Sequence, residues 1–256
     1  MIIPVYQPFG SSSHLLAQKV GKSVGEKATH TGTLDPMAEG VLVVLTGEDR
    51  FQKAEYTQWQ KTYQFQVLVG VSTDSHDLLG KITDISPEFQ KKERNREDHQ
   101  KRVEAVVTAL PSFVGKSMQV TPAFSAQRVA GKSGFDLAKK GESFSQRKNS
   151  IEIFSLELKS QMLILGNSLF PLIEEKIQMI QGDFRQQEIL KSWKKFFRQY
   201  ENIHFLILDF EATTSKRTYI RGIVRDLSEK LRLPLTTYSI LRTQNGEFTA
   251  RSCKRE

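Results

Sequence analysis

Hydrophobic and polar positions along the chain switch between a helical and a strand period, which predicts a mixed α/β fold. Residues 11–24 read as a helix, with Leu15, Leu16, Lys19 and Val20 at helical spacing. The run Val41-Leu-Val-Val-Leu45 is continuously apolar and ends at Gly47, as a strand buried on both faces does. Over 63–71, strand alternation puts Tyr63, Phe65, Val67, Val69 and Val71 on one face. Ser86-Pro87 offers an N-cap hydroxyl and a proline for the first helical position. The helix it opens is expected to bury Val103, Val106, Val107 and Leu110 and to stop before Pro111. Its charged stretch, 91–102, reads as a solvated face. Residues 151–158 and 205–210 predict further strands, and 218–231 an amphipathic helix stopped near Pro234.

Between those two strands, 169–200 reads as two helices. Ile189, Leu190, Trp193, Phe196, Phe197 and Tyr200 form an apolar stripe, with Lys191, Lys194, Lys195 and Arg198 around it. Such a stripe packs on its own domain, or it binds a membrane or RNA. There is no internal repeat or low-complexity linker, so one folded unit is expected.

Composition narrows the class. A chain of 256 residues at 38% hydrophobic suits one large domain with a sizeable core. No apolar run is long enough to span a bilayer, and Met1-Ile-Ile-Pro-Val-Tyr6 is too short for a secretory core. The single cysteine, Cys253, excludes a disulfide framework and cysteine zinc sites. A soluble protein of a reducing compartment is expected. The net charge of +8 invites a polyanion or simply aids solubility.

The chemistry concentrates in His30-Thr-Gly-Thr-Leu-Asp-Pro36. Gly32 offers backbone angles other residues avoid, Pro36 fixes its own φ, and both constrain Asp35. Asp35 is then either a positioned reactive carboxylate or an Asp-Pro turn capping its own backbone. No Walker-type loop, G-x-G-x-x-G, Gly-x-Ser-x-Gly or i, i+4 histidine pair occurs. No metal or nucleotide cofactor is expected.

Seven blocks in order carry a resemblance. They are Gln7-Pro-Phe-Gly-Ser-Ser-Ser13, Thr29 to Leu42 around the Asp35 loop, Lys61-Thr-Tyr63, and Gly70 to Asp77 with Gly80. Then come Pro122-Ala-Phe-Ser-Ala126 with Gly131-Lys132, Thr218-Tyr-Ile-Arg221 with Asp226-Leu227, and Ile240-Leu-Arg-Thr243 with Gly246 and Phe248. Together they resemble the bacterial tRNA pseudouridine-55 synthases of the TruB type along nearly the whole chain. The resemblance implies an α/β (α+β) pseudouridine synthase fold, with a central mixed, mainly antiparallel sheet flanked by helices and loops. It implies one catalytic domain over 1–256, an RNA-contacting insertion near 115–145 and an atypical helical insertion near 163–203.

The same resemblance assigns roles. Asp35 is implied as the nucleophile and Arg221 as its partner, where charge alone leaves Arg221 a surface residue. Tyr63 is implied to stack on the target base, where the strand pattern alone makes it a half-buried aromatic. Tyr219 and Ile240 are implied to line the uridine pocket, His30 to assist base flipping, and Asp77 to contact loop bases. Arg128, Lys132, Lys139 and Lys140 place positive charge on the RNA-contacting insertion. The implied partner is the T-arm of tRNA, met in the cytoplasm by a monomer needing no cofactor, membrane or protein partner. A non-catalytic tRNA-binding module and the catalytic subunit of a guide-RNA particle are the alternatives.

Departures from the pattern are specific. Gln7 replaces a lysine, Thr29 a glycine and Ile240 a leucine, and Leu241 stands where arginine is common. The 169–200 segment has no counterpart in typical members, and the C-terminal PUA domain of many relatives is expected to be absent.

Overall fold

The computed structural model describes residues 1–90, 96–129 and 131–254. In chain order the strands are β1 (Ile2–Gln7), β2 (Ala28–His30), β3 (Ala38–Thr46), β4 (Lys61–Val69), β5 (Val71–Thr73), β6 (Ile82–Ile85), β7 (Gly115–Val120), β8 (Arg128–Val129), β9 (Lys132–Ser133), β10 (Lys148–Leu165), β11 (His204–Thr214), β12 (Leu235–Asn245) and β13 (Phe248–Thr249). The helices are α1 (Ser13–Ser23), α2 (Lys53–Thr57), α3 (Arg96–Ala109), α4 (Gly134–Lys139), α5 (Gly166–Gln178), α6 (Gln186–Tyr200) and α7 (Ile220–Leu231).

The main sheet runs β1-β3-β12-β4-β11-β10-β7. Its neighbours pair antiparallel except β12 and β3, which run parallel with Ile240 opposite Ala38 and Arg242 opposite Gly40. That parallel pair fixes the site, because it sets the end of the chain against the segment that follows the Asp35 loop. Gly40 sits at φ +112°, and a Cβ there would run into the backbone of Arg242.

β3 is buried on both faces, as its apolar run predicts. Leu42 and Val44 pack with Ala17 and Val20 of α1, and Val41, Val43 and Leu45 face the other side with Tyr56, Trp59 and Phe248. On β4, Tyr63, Phe65, Val67 and Val69 join the core under α3 and α7. Val71 joins the second core instead, because Gly70 breaks the alternation at φ +97° where a Cβ would meet the Phe89 ring at 2.6 Å.

Two helices in 166–200 are present as expected. α6 buries Ile189, Trp193, Phe196, Phe197 and Tyr200 against Leu169, Ile173 and Ile177 of α5. The stripe therefore packs on its own fold. α1 rotates from its expected face: Leu15 is 58% exposed, while Ser13, Ala17, Val20 and Gly21 are buried. At Ser86-Pro87 only a 3-10 turn, Pro87–Gln90, forms. The expected charged stretch at 91–95 lies outside the described residues. α3 buries Val103, Val106 and Arg102 but leaves Val107 46% exposed, and Leu110 is buried in the 3-10 turn that follows it. β10 outruns its expected end by seven residues because its second half, mostly exposed, pairs along β11. Among the described residues no helix is long and apolar enough to cross a membrane.

Candidate active site

The Asp35 loop is held from several sides. Thr31 N donates to Val43 O (3.1 Å), Leu34 N to Ser13 Oγ (2.9 Å), and Ala38 N to Asp35 O (2.9 Å). Arg242, 1% exposed, spans the gap between β12 and the loop. Its Nε donates to Val41 O at 2.7 Å and its Nη2 to Gly32 O at 3.1 Å. Gly32 itself has no positive φ, and a Cβ there would meet only Arg242 Nη1 at 3.6 Å. Cross-strand hydrogen bonding fixes this loop, not glycine freedom.

Arg221 meets the carboxylate head on. Nε donates to Asp35 Oδ2 at 2.7 Å and Nη2 to Asp35 Oδ1 at 2.8 Å, a bidentate fork. Nη1 donates to Ser75 O (3.1 Å) and Nη2 also to Phe124 O (2.9 Å). The guanidinium is 2% exposed and the Asp35 side chain 21%, so the cation is buried and the anion reaches the surface of a cavity. Burial alone would lower the Arg221 pKa; Asp35 and Asp77 outweigh it and raise it above the usual arginine range. Arg221 remains charged at every relevant pH.

Asp35 opens into a cavity of ≈ 290 Å³ that Tyr63, Tyr219 and Ile240 also line. Among the described lining residues, Lys61, Arg147, Lys216, Arg217 and Arg242 are cationic and Asp35 is the one carboxylate. Burial, then Arg242 and Lys216, bring the Lys61 pKa down to about 8. The cavity thus presents one fixed anion inside a cationic wall, a setting for an anionic substrate.

Three implied site residues stand apart from the cavity wall. Arg221 lies behind Asp35. Asp77 is 3% exposed; it accepts from Ser75 Oγ (2.5 Å) and Leu79 N (2.9 Å), with Oδ2 3.4 Å from Arg221 Nε. Burial raises its pKa to about 6 against the pull of Arg221. This carboxylate faces inward, so a base contact would need the loop to rearrange. His30, the last residue of β2, pairs with Val44 of β3, one residue before the lining Thr31. Burial, then Lys53, Arg242 and His14, lower its pKa to about 4, which keeps it neutral at pH 7.

Some contributors escaped the sequence reading. Gln119, 2% exposed, accepts from Tyr219 N (2.8 Å) and donates to Tyr219 O (3.1 Å). That grip keeps Tyr219 extended and delays α7 to Ile220, two residues later than the amphipathic pattern suggests. Arg147 and Asn149 also line the cavity, on the far side of the sheet order from β3. Only Lys216-Arg217, beside the Thr218-Tyr219 block, left a signal in the sequence. Of the implied RNA-contacting cations, Arg128, Lys132 and Lys140 are exposed. Lys139 is paired with Asp183. Among the described residues, no cluster of three or more His, Cys, Asp or Glu side chains is arranged to hold a metal.

Among solved structures, the chain resembles one in the crystal structure of a Cbf5-Nop10-Gar1 complex, with TM-score 0.56 and 16% identity over 99% of this chain. A chain in an H/ACA RNP bound to a substrate RNA containing 2'-deoxyuridine gives TM-score 0.53 at 16% identity. The chain spans 51% and 50% of those two chains. The fold is that of the pseudouridine synthases. The family described as TruB family pseudouridylate synthase (N terminal domain) matches residues 19–165. The tRNA pseudouridine synthase B of Caldanaerobacter subterraneus subsp. tengcongensis is 29% identical over 254 residues, 98% of this chain and 70% of that protein. That of Oenococcus oeni is 30% identical over 253 residues, with the same coverage. The chain belongs to the TruB family of pseudouridylate synthases.

Proposed function

We propose that the chain converts uridine 55 in the T-loop of tRNA to pseudouridine, with Asp35 as the catalytic carboxylate. The observation that carries this is the bidentate Asp35–Arg221 pair at the floor of a cationic cavity. The cavity is at the small end of ligand sites, about 300–1,000 Å³, and suits one nucleotide turned out of its stack. Unstacking costs a few kcal/mol, offset by contacts in the pocket. Relatives named tRNA pseudouridine synthase B supply the substrate class.

In this reaction the N1–C1′ bond breaks, uracil turns, and C5 bonds to C1′. C5 then loses its proton and N1 gains one, so nothing is oxidised or reduced. Asp35 adds to C1′ or to the base, or removes a ribose proton to give a glycal; each route needs a charged carboxylate beside the target nucleoside. Arg221 keeps that carboxylate aimed. Tyr63 stacks on the uracil and Ile240 closes the apolar side of the pocket. His30, one residue from the cavity wall, assists flipping as a neutral ring. Asp77 acts from behind, through Arg221.

We read the described chain as one catalytic domain, because β1 and β12 lie in one sheet, and we propose that it works as a monomer in the cytoplasm. The test is tritium release from [5-³H]uridine-labelled, unmodified tRNA. Release by the wild type and none by Asp35→Asn is expected. Tight tRNA binding without release by either would leave a binding module, and release only with added guide RNA would make it a particle subunit.

A further inference from the structure

The guanidinium of Arg221 rests on two carbonyls from segments far apart in the chain, Ser75 O and Phe124 O. A second arginine bridges those segments. Arg185, at the start of α6, donates from Nη1 to Asp74 Oδ2 at 3.0 Å and from Nη2 to Asp74 Oδ1 at 3.3 Å. The face of the same group lies over the Phe124 ring, Cζ 4.4 Å from its centroid. We propose that Arg185 is a positioning residue for catalysis: it locks the Ser75 and Phe124 segments together and so fixes Arg221 against Asp35. The inference rests on reading Asp35 and Arg221 as the catalytic pair.

Edge and face of one group are used at once, and only a planar guanidinium does both. Asp74 also accepts from Lys81 N at 3.0 Å, so Arg185 grips the turn as a unit. Neighbours brace the hairpin tip on the other side. Phe184 meets Phe135 edge-on at 4.7 Å, Phe135 meets Phe124 at 5.8 Å, and Asp183 pairs with Lys139. α6 is anchored to the same turn: Trp193 Nε1 donates to Leu78 O (3.2 Å), and Ile82 N donates to Ser192 Oγ (3.3 Å).

Two features argue that geometry, not stability, is what Arg185 provides. Its side chain is 10% exposed, and a largely buried ion pair contributes little net stability. Its backbone sits at φ +64°, a conformation that costs a non-glycine residue energy and is kept where the surroundings demand it. The α5–α6 hairpin thus acts on the active site without touching substrate.

Arg185→Met and Arg185→Lys test this with single-turnover kinetics on tRNA. Expected for both is a kcat loss of about 10- to 100-fold, the scale of a lost supporting contact, while KM moves less than about twofold. Asp74→Asn should show the same split, and the double variant should lose no more than either single one. A raised KM with a flatter salt dependence would mean that Arg185 touches RNA. A lowered Tm with kcat intact would mean that it is structural glue. Either result overturns the proposal. If Arg185→Met does not fold, Arg185→Lys, which keeps charge and bulk, decides on the same readouts. Hydrogen exchange over 73–78 and 121–129 is followed in parallel; faster exchange in both segments of the variant is expected, and unchanged exchange refutes the bridge whether or not tRNA turns over. An inactive wild type would end the functional reading, whereas an active wild type with unaltered Arg185 variants ends only this inference.

Discussion

Asp77 Oδ2 lies 3.4 Å from the same Arg221 Nε that donates to Asp35 at 2.7 Å. One buried cation therefore stands between two carboxylates, one facing the cavity and one sealed behind it. Asp77→Asn should lower kcat by about 10- to 100-fold with little change in KM, because Arg221 loses the second of its two carboxylate partners while the cavity wall is untouched. Single-turnover rates and tRNA affinity measured side by side check this. A raised KM at constant kcat would place Asp77 against the RNA after all.

Acid should destabilise the fold before neutral pH does. Burial holds both His30 and His76 near pKa 4, helped by Lys53, Arg242 and His14 at the first and by Arg225 and Arg221 at the second. A base depressed on folding contributes stability fully above its unfolded value, 6.5 here, and loses it as pH falls through about 4. Asp77 runs the other way: raised to about 6, its contribution is complete below 3.8 and is lost as pH climbs through 6. Two histidines outweigh one carboxylate, so Tm should drop between pH 6.5 and 4. Thermal unfolding of His76→Asn, a residue that tolerates the φ of +61° at this position, should show a smaller drop. An equal drop would remove His76 from the account.

The elements that announced themselves in the sequence were those whose own side chains decide their burial. The apolar run of β3 and the stripe of α6 are of this kind. The site is different. Arg221 stands 186 residues from Asp35, and only the β3–β12 pairing and the α7 start bring them together. Resemblance named Arg221; periodicity left it a surface residue. Gln119 and Arg185 had neither signal, because each acts through one long-range hydrogen-bonded or stacked contact that leaves no local pattern. The tilt of α1 away from Leu15 has the same origin: packing on β3 chose the face, not the spacing.

Gln7 offers a test of how the Asp35 loop is supported. It is fully buried; its Nε2 donates to Ser11 O (3.0 Å) and its Oε1 accepts from Ser13 Oγ (2.6 Å), which in turn accepts from Leu34 N. The relay ends one residue before Asp35. Gln7→Ala strands the Ser11 carbonyl and the Ser13 hydroxyl, which should cost about 1–3 kcal/mol in urea unfolding and lower kcat by loosening the loop. Gln7→Lys restores the donor to Ser11 O but not the acceptor for Ser13, so it should recover only part of the loss. Wild-type stability in Gln7→Ala would show that the relay does not support the loop.

The cations of the 128–140 segment are not equivalent, and salt should separate them. Arg128, Lys132 and Lys140 are exposed, so each is available to a phosphate. A cation that meets a phosphate releases a counterion and steepens the fall of affinity with salt, by about 0.7–0.9 in the log–log slope. Replacing any of the three with alanine should weaken tRNA binding at low salt and flatten the slope by about that amount. Lys139 is different because Asp183 already neutralises it. With its charge already met by that carboxylate, Lys139→Ala should leave the slope as it is. Filter binding of one tRNA across a salt series distinguishes the cases. Equal slopes in all four variants would move the phosphate contacts off this segment and onto the cationic cavity rim, where Arg147, Lys216 and Arg217 stand.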